Sequence, residues 1–270
     1  MIYLDNCATT RVRTEVADAM YEVLTKDFAN PSSLHKIGLE IENRIDNARE
    51  IIAKYLNVSP DEIYFTSGGT ESNNLIIRSI LDKNQKRKGK IITSKLEHSS
   101  VKSILNKARE DGFEIIEIDS DKYGSILVNE LEKYLDEDTL LVTIVHVNNE
   151  LGAINDLKKI GETIKDRAKN AHFHIDAIQS FGKLKFNLNE FNCHSLSASA
   201  HKVHGPKGVG LIYIKRDVHI RPLIYGGGQE DNLRSGTENT PGIVGFGKAV
   251  EILSRNFDKE YAHKAKLREY

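Results

Sequence analysis

Leu140-Leu-Val-Thr-Ile-Val-His-Val147 is an almost uninterrupted apolar run. It is too short for a typical helix, and it lacks the polar alternation of a strand with one wet face. It reads as a strand covered on both sides, the normal state of strands in a parallel sheet. Upstream, strand-like runs recur at Ile63-Tyr-Phe-Thr66, Lys90-Ile-Ile-Thr-Ser94 and Phe113–Ile118; downstream they recur at His172–Ile175, Ser195–Ser199 and Val209–Ile214.

Helical patterns lie between these runs. Ile37, Ile41, Ile45, Ala48 and Ile52 share one face at 3.6 residues per turn. Asn73–Leu81, Val101–Glu110 and Asp156–Asn170 also read as helices. From about Gly245 to Tyr270, Val250, Leu253, Phe257, Tyr261 and Ala265 fall roughly in phase. Strands that alternate with helices need crossover connections, and crossovers make a mostly parallel sheet sandwiched by helices. The expected class is therefore α/β. The opening Met1-Ile-Tyr-Leu-Asp5 also reads as strand-like.

Composition narrows the function. Among 270 residues, 38 Lys plus Arg face 39 Asp plus Glu, a net charge of -1. Such a balance offers no general attraction to nucleic acid or anionic membranes. The basic run Lys83–Lys90 is short and reads as a solvated loop. No stretch reaches the ~18 apolar residues of a membrane span, and the N-terminus carries no signal-peptide pattern. The two cysteines, Cys7 and Cys193, form no C-x-x-C pair, so a disulfide framework is not expected. The expectation is a cytoplasmic chain that binds neither nucleic acid nor membrane.

In an open parallel sheet, ligands collect beyond the carboxyl ends of the strands. Five successive strand ends here carry polar or small residues: Gly68, Gly69 and Thr70; His98; Asn148 and Asn149; Asp176 and Gln179; and Ser199, His201 and Lys202. Together they match the needs of a pyridoxal phosphate site. Small residues opening a helix present N–H groups to a phosphate, and Thr70, Ser199 and His201 add side-chain donors. Asp176 can pair with a pyridinium nitrogen, Gln179 can reach the ring hydroxyl, His98 can stack on the ring, and Lys202 can form the covalent link. His201 and Lys207, if cationic, would lower the pKa of Lys202.

Each piece alone has a plainer reading. Gly-Gly-Thr is usually a turn, a strand-ending Asp is most often a helix cap, and one lysine among many carries little weight. The joint pattern decides. Other chemistries find less support. There is no G-x-x-x-x-G-K-[ST] and no G-x-S-x-G, and Gly205-Pro-Lys-Gly-Val-Gly210 does not fit G-x-G-x-x-G. His172 with His174, or His201 with His204, could begin a metal site, but ligand spacing is poor; no metal is expected.

Eight stretches resemble the NifS/IscS group of cysteine desulfurases, in the class V aminotransferase superfamily. They are Tyr3-Leu-Asp-Asn-Cys-Ala-Thr-Thr10, Phe65-Thr-Ser-Gly-Gly-Thr-Glu-Ser-Asn-Asn74, Glu97-His98, His146-Val-Asn-Asn-Glu-Leu-Gly152, His174-Ile-Asp-Ala-Ile-Gln-Ser180, Ser197-Ala-Ser-Ala-His-Lys-Val-His-Gly-Pro-Lys-Gly208, Gly226-Gly-Gly-Gln-Glu230 and Arg234-Ser-Gly-Thr-Glu-Asn239. They follow the family's order over nearly the whole chain. The resemblance implies that Gly69, Thr70, Ser199 and His201 hold the phosphate of pyridoxal 5'-phosphate. It places His98 and Asn149 at the ring, Asp176 at its nitrogen, Gln179 at its oxygen, and Lys202 as the covalent lysine. Lys202 and His98 are the implied catalytic residues. Thr237 is implied to reach the phosphate of a neighbouring subunit, hence a homodimer.

The implied activity is conversion of L-cysteine to alanine, with sulfur passed to an enzyme thiol for iron-sulfur cluster or thio-cofactor assembly. A sulfur-acceptor or scaffold protein is an implied partner. The resemblance divides the chain into an N-terminal segment (1–15), a cofactor-binding large domain (16–255) and the start of a connecting helix (256–270). The family's nucleophilic cysteine and its substrate-carboxylate arginine would lie in a C-terminal small domain beyond it. Cys7 and Cys193 match neither position and read as bystander thiols, Cys193 buried. A selenocysteine lyase or another class V enzyme shares the same site residues, and a non-catalytic cofactor- or partner-binding domain is a further reading.

Overall fold

β4 (Thr139–Val145) lies in the interior of the sheet and is buried at every position. A computed structural model describes residues 2–269. In it, seven strands form one sheet: β1 (Ile63–Thr66), β2 (Lys90–Ser94), β3 (Glu114–Ile118), β4, β5 (His172–Asp176), β6 (Ser195–Ser199) and β7 (Gly210–Ile214). Their spatial order is β1-β7-β6-β5-β4-β2-β3. The pairs β6–β5, β5–β4, β4–β2 and β2–β3 are parallel, while β7 is antiparallel to both β6 and β1. Reversing β7 restores the direction at β1. Six of the seven carboxyl ends therefore open on the same edge.

The helices are α1 (Thr14–Thr25), α2 (Lys36–Leu56), α3 (Gly69–Lys83), α4 (Ser99–Glu110), α5 (Val128–Tyr134), α6 (Leu157–Arg167), α7 (Leu188–Phe191) and α8 (Thr240–Glu269). Strand side chains alternate between two cores, as a pleat of period two requires. Ile91 and Leu141 meet Leu75, Ile76, Val101 and Leu105 from α3 and α4 on one face. Ile92 and Val142 share the other core with Ile45, Ile52, Ile160, Phe246 and Val250 from α2, α6 and α8. Burying each such side chain stabilises by roughly 1.5–3 kcal/mol.

Local chemistry sets the boundaries. Asn57 ends α2 in the left-handed conformation, at φ 56°. Ser59 and Glu62 form a reciprocal cap just before β1, with Ser59 N–H donating to Glu62 at 3.0 Å. α8 runs unbroken across residues 255 and 256. Its buried positions include Val250, Leu253 and Phe257, whereas Tyr261 is half exposed.

One expectation needs correcting. Residues 2–13 form no strand, and Met1 lies outside the described residues. The segment's polar groups go instead to the turn after β6: Thr10 donates from both N and Oγ1 to the His201 carbonyl, each at 2.9 Å. His204 N–H donates to Thr10 Oγ1 at 2.7 Å.

Candidate active site

The carboxyl ends of the strands border a cavity of about 580 Å³. From the β1–α3 turn come Gly69 and Thr70, from the turn after β2 comes His98, and from the turn after β4 comes Asn149. The end of β5 and the turn beyond it supply Asp176 and Gln179. The end of β6 and the following turn supply Ser199, His201 and Lys202. Nine sequence-expected residues therefore converge on one space. Thr237 does not line it; it is exposed in the loop ahead of α8.

The cradle at the start of α3 is close-packed. A Cβ on Gly69 would meet Ile178 Cδ1 at 2.0 Å, and one on Gly210 would meet Gly68 Cα at 2.7 Å. Gly210 needs glycine because its neighbours there are backbone atoms, whereas at Gly69 the Ile178 side chain would have to shift. α3, fifteen residues long, begins here, so its free N–H groups and positive dipole end face the cavity, as an anion site requires.

Asp176 is 2% exposed. Its Oδ1 accepts from Ile178 N–H at 3.0 Å and its Oδ2 from Asn73 Nδ2 at 2.8 Å. Burial raises its pKa, while these two hydrogen bonds and the charges of His98 and Lys202 lower it. A second carboxyl, Glu97, lies behind it. Glu97 Oε1 accepts from Val145 N–H at 2.8 Å, and Oε2 has no partner. Burial pushes Glu97 up to about 8, opposed by the Val145 hydrogen bond and supported by the charge of Asp176. At neutral pH Glu97 is thus an uncharged acid packed behind Asp176.

Lys202 is half-buried. Its Nζ donates to the carbonyl oxygens of Cys7 at 2.5 Å and Ala8 at 3.0 Å. Burial lowers its pKa, against the opposing pull of Cys7, Asp176 and Asp5. The sequence expectation that cationic His201 and Lys207 would do this needs correcting. His201 is itself pushed below the usual histidine range by burial, with Lys202, Lys207 and Lys183 adding repulsion. His98 caps α4: its Nδ1 accepts from Ser100 N–H at 3.1 Å, which fixes the ring at the cavity wall. Gln179 Nε2 donates to Cys7 O at 2.9 Å, and its Oε1 accepts from Lys183 Nζ at 2.8 Å.

Several of these residues escape a reading by strand ends. Asn73 and Lys183 each sit four positions beyond an expected residue, Gly69 and Gln179, so helical spacing could have found them. Cys7 and Ala8 line the cavity from the N-terminal segment, and no local signal announces that. Cys193 is buried, as expected, and burial pushes its thiol up to about 12. His172 and His174, weighed as metal ligands, both bond Ser195 Oγ, at 2.7 and 2.8 Å.

The arrangement joins an amine, a buried carboxyl, an imidazole and a helix N-terminus around one cavity. The class-V aminotransferase family profile matches residues 2–270, and the chain belongs to that family. Within it, the chain belongs with the cysteine desulfurases of the NifS/IscS group. It is 44% identical to cysteine desulfurase IscS of Dictyoglomus turgidum over 100% of this chain and 68% of that protein. It is 42% identical to the mitochondrial cysteine desulfurase of Saccharomyces cerevisiae over 98% of this chain and 54% of that one. A solved NifS-like protein superposes with a TM-score of 0.97 at 44% identity, covering 99% of this chain and 73% of the other. A structure described as SspA in complex with cysteine gives 0.90 at 41% identity, over 93% and 72%. The chain thus spans about two thirds of the length of the bacterial relative named here.

Proposed function

We propose that the cavity binds pyridoxal 5'-phosphate and that the chain uses it to act on L-cysteine as a cysteine desulfurase. The observation that carries this reading is the meeting of the Lys202 amine and the Asp176 carboxylate in a cavity that also takes in the N-terminus of α3. The donor set fits the group. Its volume lies within the ~300–1,000 Å³ of small-molecule sites. Gly69, Thr70, Ser199 and His201 would hold the phosphate, His98 and Asn149 would flank the ring, Asp176 would pair with its nitrogen, and Gln179 would donate to its oxygen. When bound, the cofactor supplies an electron-withdrawing ring that stabilises negative charge at the carbon bearing the substrate amine.

The chain's own residues would handle the proton at the substrate Cα. Lys202 Nζ would hold the cofactor and, as a free amine, would take the proton from the substrate Cα. A lowered lysine pKa suits that task, because the uncharged amine is the reactive form. The neutral Glu97 spares Asp176 a like-charged neighbour, and the hydrogen bonds from Ile178 N–H and Asn73 Nδ2 favour its charged form. The carbonyl oxygens of Cys7 and Ala8 accept from the Lys202 amine and hold it at the cavity.

Thr237, exposed and outside its own cavity, would serve the phosphate of a second copy, in keeping with a homodimer. A sulfur acceptor or scaffold protein would take the product sulfur, and the proposed compartment is the cytoplasm. No helix among the described residues is long and apolar enough to cross a membrane. The test is to mix the chain with pyridoxal phosphate, reduce with borohydride and map the adduct by mass spectrometry. The adduct is expected on Lys202 and lost in Lys202→Ala. An adduct confined to other lysines would overturn the assignment.

A further inference from the structure

Behind the cavity, a set of fully buried polar side chains can be assigned donor by donor. Asn73, on α3, is 0% exposed, as are His174 and Ser195. Asn73 Nδ2 lies 2.8 Å from Asp176 Oδ2 and 3.0 Å from Ser100 Oγ. Its Oδ1 lies 3.0 Å from His174 Nε2. His174 Nδ1 lies 2.8 Å from Ser195 Oγ, which lies 2.7 Å from His172 Nε2.

An ionised carboxylate only accepts, so the Asn73 group facing Asp176 must be the NH₂. Its oxygen then faces His174, whose Nε2 must carry the ring proton. Burial pushes His174 down to about 3, so the ring is neutral and has a single N–H. Its Nδ1 therefore accepts from the Ser195 hydroxyl, and Ser195 Oγ accepts in turn from His172 Nε2–H. Every member has a partner, in one consistent direction. Turning the Asn73 amide over would set its oxygen against the Asp176 carboxylate and force the His174 proton from Nε2 to Nδ1, reversing the bond to Ser195.

We propose that Asn73 is a positioning residue which, held in a single amide orientation by His174, keeps the Asp176 carboxylate charged and aimed into the cavity. β5 makes this possible: His174 and Asp176 are two residues apart and project from the same face of the sheet, where α3 covers them. The function of the device rests on the reading of Asp176 as the partner of the cofactor nitrogen. The device itself can be tested without cofactor. The other charged groups facing Asp176 are His98 and Lys202 around the cavity and Glu97 from the turn after β2; they remain in every variant below.

The experiment is a carbon-13 titration of the Asp176 carboxyl in the unloaded full chain, assigned with Asp176→Asn. In Asn73→Ala the midpoint is expected to rise by about 1–2 pH units, the size of one lost hydrogen bond to a charged group. His174→Leu, which frees the amide to turn, is expected to raise it less, and His174→Gln, which returns an N–H donor, to bring it back. If Asn73→Ala does not fold, Asn73→Asp keeps the shape and puts a second carboxylate against Asp176, and the midpoint again rises. Pyridoxal phosphate affinity, measured separately, is expected to fall in the same order. An Asp176 midpoint unmoved by the Asn73 change, or a His174→Leu midpoint equal to wild type, overturns the proposal. Failure to find the adduct on Lys202 would instead count against the cofactor reading and leave this titration standing.

Discussion

Glu97→Gln isolates the protonation of a single buried group. The wild-type carboxyl has an ordinary value of 4.5 and is pushed to about 8 in the folded chain. Below about pH 4.5 it is protonated whether the chain is folded or not, and the shift then has no effect on stability. As pH rises further the unfolded chain releases the proton and the folded chain keeps it. Stability therefore falls by about 1.4 kcal/mol per pH unit, reaching about 3 kcal/mol at pH 7 and about 5 near pH 8, where the loss levels off. Glutamine has the same shape, and its oxygen can still accept from Val145 N–H, but it cannot ionise. Urea unfolding of both chains at about pH 5 and about pH 8.5 measures the difference. The wild type is expected to lose about 4 kcal/mol more than Glu97→Gln between the two conditions, so the variant gains relative stability in alkali. Parallel stability curves for the two proteins would refute the reasoning, because they would mean that Glu97 is already ionised in the fold.

Arg49→Met should destabilise the chain by about 3–5 kcal/mol, read as a lowered urea midpoint. Arg49 forms a two-pronged pair with Glu230 at 3.0 Å on each side, and the Glu230 side chain is 3% exposed, so its charge would be left buried with Phe65 N–H as the remaining donor. Cys7→Ala is expected to leave sulfide release from L-cysteine unchanged, measured with a reductant present. Cys7 Sγ donates to Asp5 Oδ1 at 3.3 Å, and the Cys7 carbonyl, not its thiol, meets Lys202; abolition of strong release by this change would make Cys7 a nucleophile.

Much of this was legible along the chain. The apolar run at residues 140–147 marked a strand buried on both faces, and β4 is buried at every position. Strand–helix alternation implied a mostly parallel sheet, and the sheet is parallel except at β7. Period-two and period-3.6 patterns survive folding because they reflect which side of one element meets the core. The groups just past the strand ends were readable for the same reason: direction along a strand is a property of the chain itself.

What the pattern could not show is which distant groups share a proton. The apolar β7 reads the same in either direction, and its reversal is settled by pairing with β1 and β6. The N-terminal segment looked like a strand, yet its backbone meets Lys202 across 194 and 195 positions of chain. Asn73 reaches Asp176 across 103 positions and His174 across 101. Glu97 is an ordinary acid in sequence and a neutral one once dehydrated beside Val145. The sequence alone determined the element types and the side chains offered at one edge of the sheet. Only the tertiary structure decided charge states and hydrogen-bond direction, because both depend on the exclusion of water and on partners that meet when the sheet and helices close over them.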